Sequence, residues 1–177
     1  ATVESDSFGK DYDEKAPTTI TTKSASSGTH VINENVQANG TFGAVQAEGT
    51  AVYTINADVY AIYANNAAMA VEAGGTSTVT INSGDFRQVG VPAGEPCDLI
   101  YATESSTIVI NSGTFKATVP ANTLNVKDDA RGKAKIVVNG GRFYKYDPSN
   151  PTLGDNEIFL GEGCTVTKDG DWFVVSK

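Results

Sequence analysis

The chain has 177 residues, of which 40% are hydrophobic, and its 21 acidic residues against 13 basic ones give a formal net charge of −8. This length predicts a single domain, and the negative charge argues against binding to nucleic acid or to an anionic membrane, since no basic patch stands out in the sequence. No apolar run approaches the roughly 20 residues of a membrane-spanning helix, so we expect no membrane insertion.

The first 28 residues differ in composition from the rest of the chain. They are polar, with runs such as Lys10–Lys15 and Thr18–Thr22, and they show little apolar periodicity. Because such a segment cannot bury enough apolar surface to fold alone, we predict that residues 1–28 form an extended N-terminal arm. The arm is either a mobile tail or a segment that orders on a partner or a neighbouring subunit. Residues 29–177 are predicted to form one domain.

An aliphatic residue followed by asparagine recurs along this predicted domain. The copies are Ile32-Asn33, Ile55-Asn56, Ile81-Asn82, Ile110-Asn111 and Val138-Asn139, with a degenerate sixth copy at Val166-Thr167. Successive copies are 23, 26, 29, 28 and 28 residues apart, which is typical of one coil in a stacked β-solenoid. We therefore predict that the aliphatic residues form an inward column and that the asparagines form a ladder beside it.

A glycine-containing bend and an aromatic residue follow each well-preserved copy. The bends, such as Asn82-Ser83-Gly84, contain residues that tolerate positive φ. The aromatic residues, each five positions after its ladder residue, are Tyr60, Phe86, Phe115 and Phe143. Equivalent positions in successive coils lie about 4.8 Å apart. These rings are therefore predicted to stack in the core and not to form a ligand-binding box.

Loops of different length separate each aromatic residue from the next apolar strand. The spacing is 13 residues from Phe86 to Leu99, 9 from Phe115 to Leu124 and 15 from Phe143 to Ile158. Variable loops on a repeated scaffold usually carry binding specificity. The candidate binding residues on these loops are Arg87, Tyr144, Tyr146 and Asp147.

The pattern as a whole predicts an all-β protein, a right-handed parallel β-helix (β-solenoid) of about six coils with the extended N-terminal arm. A β-sandwich of about ten short strands is the alternative, but the strands of a sandwich do not need to repeat one short sequence motif at nearly constant spacing. The segment around 164–177, which contains Trp172, is predicted to close the last coil, because an open strand edge must be covered or paired.

No residue pattern indicates catalysis, a metal or a cofactor. Polysaccharide-cleaving enzymes need carboxylates close together, but Asp85 aligns with Thr114 and Arg142 in the following coils, so the acids do not stack. The single histidine, His30, is expected in a cap or core position, and no nucleophile is paired with it. The two cysteines, Cys97 and Cys164, have no metal-site spacing and are expected as reduced thiols. The chain is predicted not to be an enzyme.

The segment Gly140–Pro151, followed by Val166–Trp172, has a bend-and-loop pattern that resembles a known group of proteins. It resembles the C-terminal solenoid segments of structural proteins of tailed bacteriophages, particularly head-fibre and capsid-decoration proteins of phages that infect gut bacteria. The resemblance covers about the last 100 residues. It implies a non-enzymatic virion component, often a homotrimer, whose N-terminal part docks on the particle while its solenoid projects. This chain is short for a fibre and carries no evident coiled-coil segment.

Three functions from different classes remain open at this point. The first is a structural virion protein on the capsid surface, made in the host cytoplasm, bound to the phage major capsid protein through the N-terminal arm and contacting host-surface glycan with its loops. The second is a carbohydrate-binding adhesion module on the extracellular bacterial surface. The third is a polysaccharide lyase or hydrolase, which a spatial cluster of acids in a groove would favour.

Overall fold

The structure is a computed structural model that describes residues 20–150 and 158–177. Its described strands are β1 (Lys23–Ala25), β2 (Thr29–Ile32), β3 (Val36–Asn39), β4 (Val45–Ala47), β5 (Val52–Asn56), β6 (Val59–Ile62), β7 (Val71–Ala73), β8 (Thr78–Ser83), β9 (Asp85–Val89), β10 (Ile100–Ala102), β11 (Thr107–Ile110), β12 (Thr114–Lys116), β13 (Leu124–Val126), β14 (Lys135–Val138), β15 (Gly141–Tyr144), β16 (Thr165–Asp169) and β17 (Trp172–Ser176). Two 3-10 turns, Pro120–Asn122 and Asp128–Ala130, accompany them.

The strands form three sheets that run along the molecule. Sheet A has the order β1-β4-β7-β10-β13, sheet B the order β14-β11-β8-β5-β2, and sheet C the order β16-β17-β15-β12-β9-β6-β3. Pairing within sheets A and B is parallel throughout. The chain therefore visits the three sheets in turn and winds into a parallel β-solenoid, which confirms the predicted fold class and excludes the β-sandwich.

The inward column of sheet B contains the repeated aliphatic residues. Neighbouring strands pair Ile32 with Ile55, Ile55 with Ile81, Ile81 with Ile110 and Ile110 with Val138. All of these side chains are buried, at 5% exposure or less. Because each coil covers the apolar row of the coil before it, the column is continuous from the first coil to the fifth.

The predicted count of about six coils was too high. Among the described residues, sheets A and B each contain five strands, which corresponds to about four turns between the first and the last. The sixth copy was wrong, because Val166 lies in β16, where it pairs with Val175 in an antiparallel hairpin. The position beneath Val138 is taken instead by Leu160, which forms an isolated parallel bridge with it.

The asparagines lie beside the column, on the corner between sheets B and C. Side-chain amides donate from Asn56 to Asn33 at 3.0 Å, from Asn111 to Asn82 at 3.0 Å and from Asn139 to Asn111 at 3.2 Å. A register shift after Ile55 pairs the backbone of Asn56 with Ser83 and not with Asn82. The ladder therefore has a step between the second and third coils.

The phenylalanines stack on the inner side of sheet C. The ring centroids of Phe86 and Phe115 lie 4.9 Å apart, and those of Phe115 and Phe143 lie 4.8 Å apart, with interplanar angles of 12° and 9°. The prediction that Tyr60 joins this stack was wrong, because Val59 pairs with Phe86 and Tyr60 pairs with Arg87. Tyr60 points away from the phenylalanine stack but is fully buried, and its hydroxyl donates to Asp58 at 3.2 Å.

Glycine at the bend permits two coils to approach closely. Gly84 has a φ of 122°, and a Cβ atom at this position would collide with the carbonyl of Ala57 in the preceding coil. Gly113 and Gly141 have similar φ values of 127° and 112°. The Asn-Ser-Gly phrase thus fixes the corner through which the chain passes from sheet B to sheet C.

The two ends of the described solenoid differ. At the N-terminal end, part of the segment assigned to the arm belongs to the stack, since β1 pairs with β4 and the Thr21 amide donates to the Gln37 carbonyl at 3.0 Å. The predicted boundary at residue 28 was therefore too late. Residues 1–19 of the predicted arm lie outside the described residues.

At the C-terminal end, β16 and β17 form a hairpin that extends sheet C. Strand β17 is antiparallel to β15 and pairs Phe173 with Phe143 and Trp172 with Tyr144. An antiparallel strand cannot continue a coil of parallel strands, so the hairpin ends the solenoid on this side. In the part of the chain that is described, no helix is long and apolar enough to cross a membrane.

Candidate functional site

Sheet A carries polar side chains on its outer face. The central residues of its short strands point outward because their neighbours on both sides are buried, and in register they are Gln46, Glu72, Tyr101 and Asn125. The buried neighbours in β4, for example, are Val45 and Ala47. This alternation places one polar row along the centre of the sheet.

Three glutamates meet on this face, and we call them the carboxyl trio: Glu48, Glu72 and Glu104. Glu72 lies in β7, while Glu48 and Glu104 follow β4 and β10. The Glu48 and Glu104 carboxylates converge over Gly74, where an added Cβ atom would lie 3.1 Å from Oε2 of Glu104 and closer still to Oε2 of Glu48. Gly74 therefore leaves the space that the two carboxylates occupy.

Hydrogen bonds hold the carboxyl trio in place. The Gln46 amide donates to Oε1 of Glu48 at 3.3 Å and to Oε2 of Glu72 at 3.5 Å. The backbone N–H of Gly75 donates to Oε2 of Glu104. These donors offset part of the repulsion between like charges.

The carboxyl trio alters the acidity of its central member. Burial raises the pKa of Glu72 to about 7, with further contributions from the charge of Glu48, a hydrogen bond with Glu48 and the charge of Glu104. Burial, followed by the charges of Asp98 and Glu72, raises the pKa of the adjacent Tyr101 to about 12. Glu72 therefore binds a proton near neutral pH while its neighbours supply negative charge.

A carboxylic acid with a pKa near 7 beside a carboxylate can act as a general acid. The acids do not stack in the column of Asp85, which pairs with Thr114, but the carboxyl trio is a cluster of acids that the sequence analysis did not predict. Alignment of the copies of the repeat could not reveal the carboxyl trio, because its members occupy three different positions relative to their strands. Within residues 20–150 and 158–177, no group of three or more His, Cys, Asp or Glu side chains could hold a metal ion.

The four predicted loop residues do not form one site. Arg87 pairs with Asp85, with Nη2 at 2.6 Å from Oδ2. Tyr146 is buried, and its hydroxyl donates to the Leu124 carbonyl at 3.4 Å. Asp147 accepts hydrogen bonds from the amide and hydroxyl of Ser149 at 2.9 and 2.7 Å. The prediction was wrong for Tyr146, which belongs to the core, while Asp147 stabilises a turn.

Tyr144 belongs to a different group, on the outer face of sheet C near the C-terminal hairpin. We call this group the ring–cation cluster, and its members are Lys116, Arg142, Tyr144, Lys145 and Trp172. The Nζ atoms of Lys116 and Lys145 lie 4.2 and 5.2 Å from the centroid of the Tyr144 ring. The Arg142 guanidinium carbon lies 5.4 Å from the Trp172 ring centroid.

The two rings of the cluster also contact each other. Tyr144 and Trp172 pack edge to face with centroids 5.3 Å apart, an arrangement that the ring quadrupoles favour. Arg142 additionally pairs with Asp169, with Nη2 at 3.5 Å from Oδ2. The Lys145 amide donates to the Asp171 carbonyl at 2.7 Å. The hairpin therefore fixes the positions of both rings and of their cations.

His30 and the two cysteines make packing contacts and hydrogen bonds within the fold. The His30 ring stacks on Tyr53 with centroids 4.8 Å apart, and its Nε2 lies 2.8 Å from the Ser27 carbonyl oxygen. Cys97 and Cys164 are free and buried. Burial is the main cause that raises the pKa of the Cys97 thiol, which disfavours the reactive thiolate.

Comparison with protein-family models, with curated proteins and with solved structures finds no match to this chain.

Proposed function

We propose that the chain is a non-enzymatic structural protein that a phage particle displays on its capsid surface, as a decoration protein or head fibre. The observation that supports this proposal is the difference between the two ends of a self-supporting solenoid. At the C-terminal end the hairpin of β16 and β17 covers the last parallel strand of sheet C, while β13 and β14 are terminal strands of sheets A and B. At the N-terminal end β1, β2 and β3 are the terminal strands of all three sheets among the described residues. The resemblance of the last 100 residues to phage structural proteins points the same way.

Attachment through the N-terminal end follows from this difference. Terminal strands present backbone donors and acceptors that pair readily with another chain. The proposed partner is the phage major capsid protein, with the predicted N-terminal arm at the contact. We further propose a homotrimer, in which three narrow solenoids packed side by side bury lateral surface that a single one exposes.

Purified particles provide the test of this function. Full-length protein should be found in them at fixed stoichiometry, and the free protein should sediment as a trimer. A variant without residues 1–19 retains every described strand, so it should fold like the full chain but fail to bind particles. Wild-type binding by the truncated protein, or absence of the full-length protein from particles, would contradict the proposal.

The second candidate is a carbohydrate-binding adhesion module on the bacterial surface. The ring–cation cluster supports it, because half-buried aromatic rings with polar edges are common at binding surfaces. Detection of the protein on bacterial cells that carry no phage genome would favour this function over the first.

The third candidate is a polysaccharide-cleaving enzyme, and the carboxyl trio is the observation in its favour. We nevertheless propose that no cleavage occurs, because Glu48 and Glu104 converge on Gly74 and use hydrogen bonds within the sheet surface. Incubation with acidic and neutral polysaccharides should release neither reducing ends nor unsaturated sugars. Turnover that persists through repurification and is lost in Glu72→Gln would establish an enzyme instead.

A further inference from the structure

We propose that a cleft beside Tyr101, on the outer face of sheet A, binds a neutral glycan, a polysaccharide whose sugars carry hydroxyl groups and no charge. This inference rests on the glycan binding of the proposed function, and it names the site and the class of ligand. It places the site on sheet A and not at the ring–cation cluster on sheet C.

The cleft lies where a loop of variable length meets sheet A. Pro96 and Asp98 line it from the loop between β9 and β10, while Tyr101 and Asn125 line it from β10 and β13. Its volume is about 400 Å³, within the range of roughly 300–1,000 Å³ that is usual for sites of small ligands. The cleft therefore combines one of the loops that the sequence marks as variable with the regular face of the sheet.

Tyr101 supplies the aromatic surface of the cleft. It is the central residue of β10 and lies half-buried between Glu72 and Asn125 of the neighbouring strands. A tyrosine ring combines an apolar face with one polar atom, and a sugar similarly combines apolar C–H faces with hydroxyl groups at its rim. Burial, followed by neighbouring charges, raises the pKa of Tyr101 to about 12. Its hydroxyl therefore keeps its proton at neutral pH and can donate to a sugar oxygen.

The charged groups at the cleft are paired within the protein, which favours an uncharged ligand. Nζ of Lys127 lies 3.5 Å from Oδ2 of Asp129, and Nη2 of Arg131 lies 2.8 Å from Oδ1 of Asp128. Because Lys127 is paired, it attracts an anionic polysaccharide only weakly, and the net charge of −8 repels one. A carboxylate that pairs with a cation can still accept a hydrogen bond from a sugar hydroxyl. The cleft therefore suits a neutral ligand that is rich in hydrogen-bond donors.

The polar groups around the aromatic ring are held in place by the protein itself. The side-chain amide of Asn125 donates to Oδ2 of Asp98 at 3.2 Å. The backbone N–H of Ala130 donates to the Lys127 carbonyl at 2.9 Å, which closes the 3-10 turn Asp128–Ala130. Since these positions are fixed before a ligand arrives, the entropic cost of binding is low.

The test measures binding of full-length protein to immobilised dextran, mannan and galactan, which are neutral probes. Carboxymethyl-dextran and diethylaminoethyl-dextran are the anionic and cationic counterparts of the first probe. Tyr101→Ala removes the ring, Tyr101→Phe removes only the hydroxyl, and the matched control Tyr144→Ala removes a ring from the ring–cation cluster. We expect wild-type protein to bind at least one neutral probe. Its Kd should be about tenfold weaker in Tyr101→Ala, about threefold weaker in Tyr101→Phe and changed less than about twofold in the control.

Thermal unfolding establishes that each variant folds like the wild type, and Tyr101→Phe keeps the test decisive if Tyr101→Ala does not fold. Failure of every neutral probe to bind would exclude the ligand class, and stronger binding to a charged dextran than to any neutral probe would show that charge drives the contact. Unchanged binding in the Tyr101 variants, or an equal loss in Tyr144→Ala, would also overturn the inference. Incorporation into phage particles is measured separately, so the failure of this site is distinguishable from the failure of the proposed function.

Discussion

Sheets A and C belong to the same coils but differ in what they bury and in what they display. The inner side of sheet A carries small aliphatic residues such as Ala47, Val71 and Ala73, whereas the inner side of sheet C carries the phenylalanine stack. On the outer faces, sheet A gathers carboxylates and sheet C gathers rings and cations. One scaffold therefore supports two outer faces that carry different kinds of side chain.

This difference shows that inward residues stabilise the stack, while outward residues determine what its surface presents. Inward positions are constrained because each is covered by the coils above and below it. Outward positions are constrained only by their immediate neighbours, so charge can accumulate on one face. The carboxyl trio tolerates like charges through a retained proton and through donors from Gln46 and Gly75. Sheet C uses its outer rings to attach the closing hairpin.

The largest expected effect comes from removing a ring from the inner side of sheet C. Phe115→Ala should lower the free energy of unfolding by about 3–5 kcal/mol, because Phe115 is fully buried between two other rings and its loss leaves a cavity. Urea denaturation followed by circular dichroism measures the change. In sheet A, Ile100→Val removes one buried methylene and should cost about 0.5–1.5 kcal/mol.

If Phe115→Ala cost no more stability than Ile100→Val, the phenylalanine stack would not be a tightly packed part of the core. In a stack of coils the damage should also spread to the nearest neighbours. Hydrogen exchange should therefore accelerate in β9 and β15, which flank β12, more than in β1 and β4. Uniform acceleration along the chain would show that the whole solenoid unfolds as one unit.

The second prediction concerns the outer face of sheet A and depends on pH. The folded pKa of Glu72 is about 7, above its ordinary value of 4.5. The folded state therefore holds a proton that the unfolded state has released, and stability falls as pH rises from about 4.5 through 7. Glu72→Gln removes this titration. It should leave stability at pH 4 nearly unchanged and raise it at pH 8.

The expected gain at pH 8 is about 1–2 kcal/mol, which is smaller than the full shift implies, because solvent screens a partly exposed group. Thermal unfolding across this pH range measures it. Glu34→Gln provides the control, since Glu34 is exposed in the first coil and its substitution should give no rise in stability between pH 4 and pH 8. If the stability of both variants depended on pH in the same way, repulsion within the carboxyl trio would not destabilise the folded protein at high pH.

The sequence predicted the fold because stacking imposes a visible repeat on inward residues. The columns of Ile81 and Phe115 were correct for this reason. Tyr60 was placed wrongly because the register shift after Ile55 moves the third coil by one residue. Phe86, five residues after Ile81, therefore aligns with Val59, four residues after Ile55. Counting along the chain cannot detect a bulge of this kind.

The outer faces could not be predicted in the same way. Glu48, Glu72 and Glu104 converge from a turn, a strand centre and another turn, so no column of the repeat contains all three. The ring–cation cluster depends on a hairpin that reverses direction, and Val166 in that hairpin resembles a ladder residue by spacing alone. On the inner side, Gln88 was also not predicted: this polar residue is buried and donates to the carbonyls of Ala68 and Cys97 at 2.7 and 2.9 Å.

The smallest expected effect tests how the outer face of sheet C holds the hairpin. Arg142 contacts both the Trp172 ring and Asp169, but its side chain is 44% exposed and that of Asp169 is 69% exposed. Exposed ion pairs and cation–π contacts contribute about 0.5–1 kcal/mol each. Arg142→Gln should therefore cost about 1 kcal/mol.

A double-mutant cycle with Asp169→Asn separates the two contacts of Arg142. The coupling between Arg142 and Asp169 should be about 0.5 kcal/mol at low salt and should decrease at 1 M salt, because exposed charges are screened. The remaining loss should persist in high salt, since it arises from packing of the guanidinium against Trp172. If the whole effect of Arg142→Gln disappeared at high salt, the ring would contribute nothing, and the hairpin would be held to sheet C by its backbone pairing and buried residues alone.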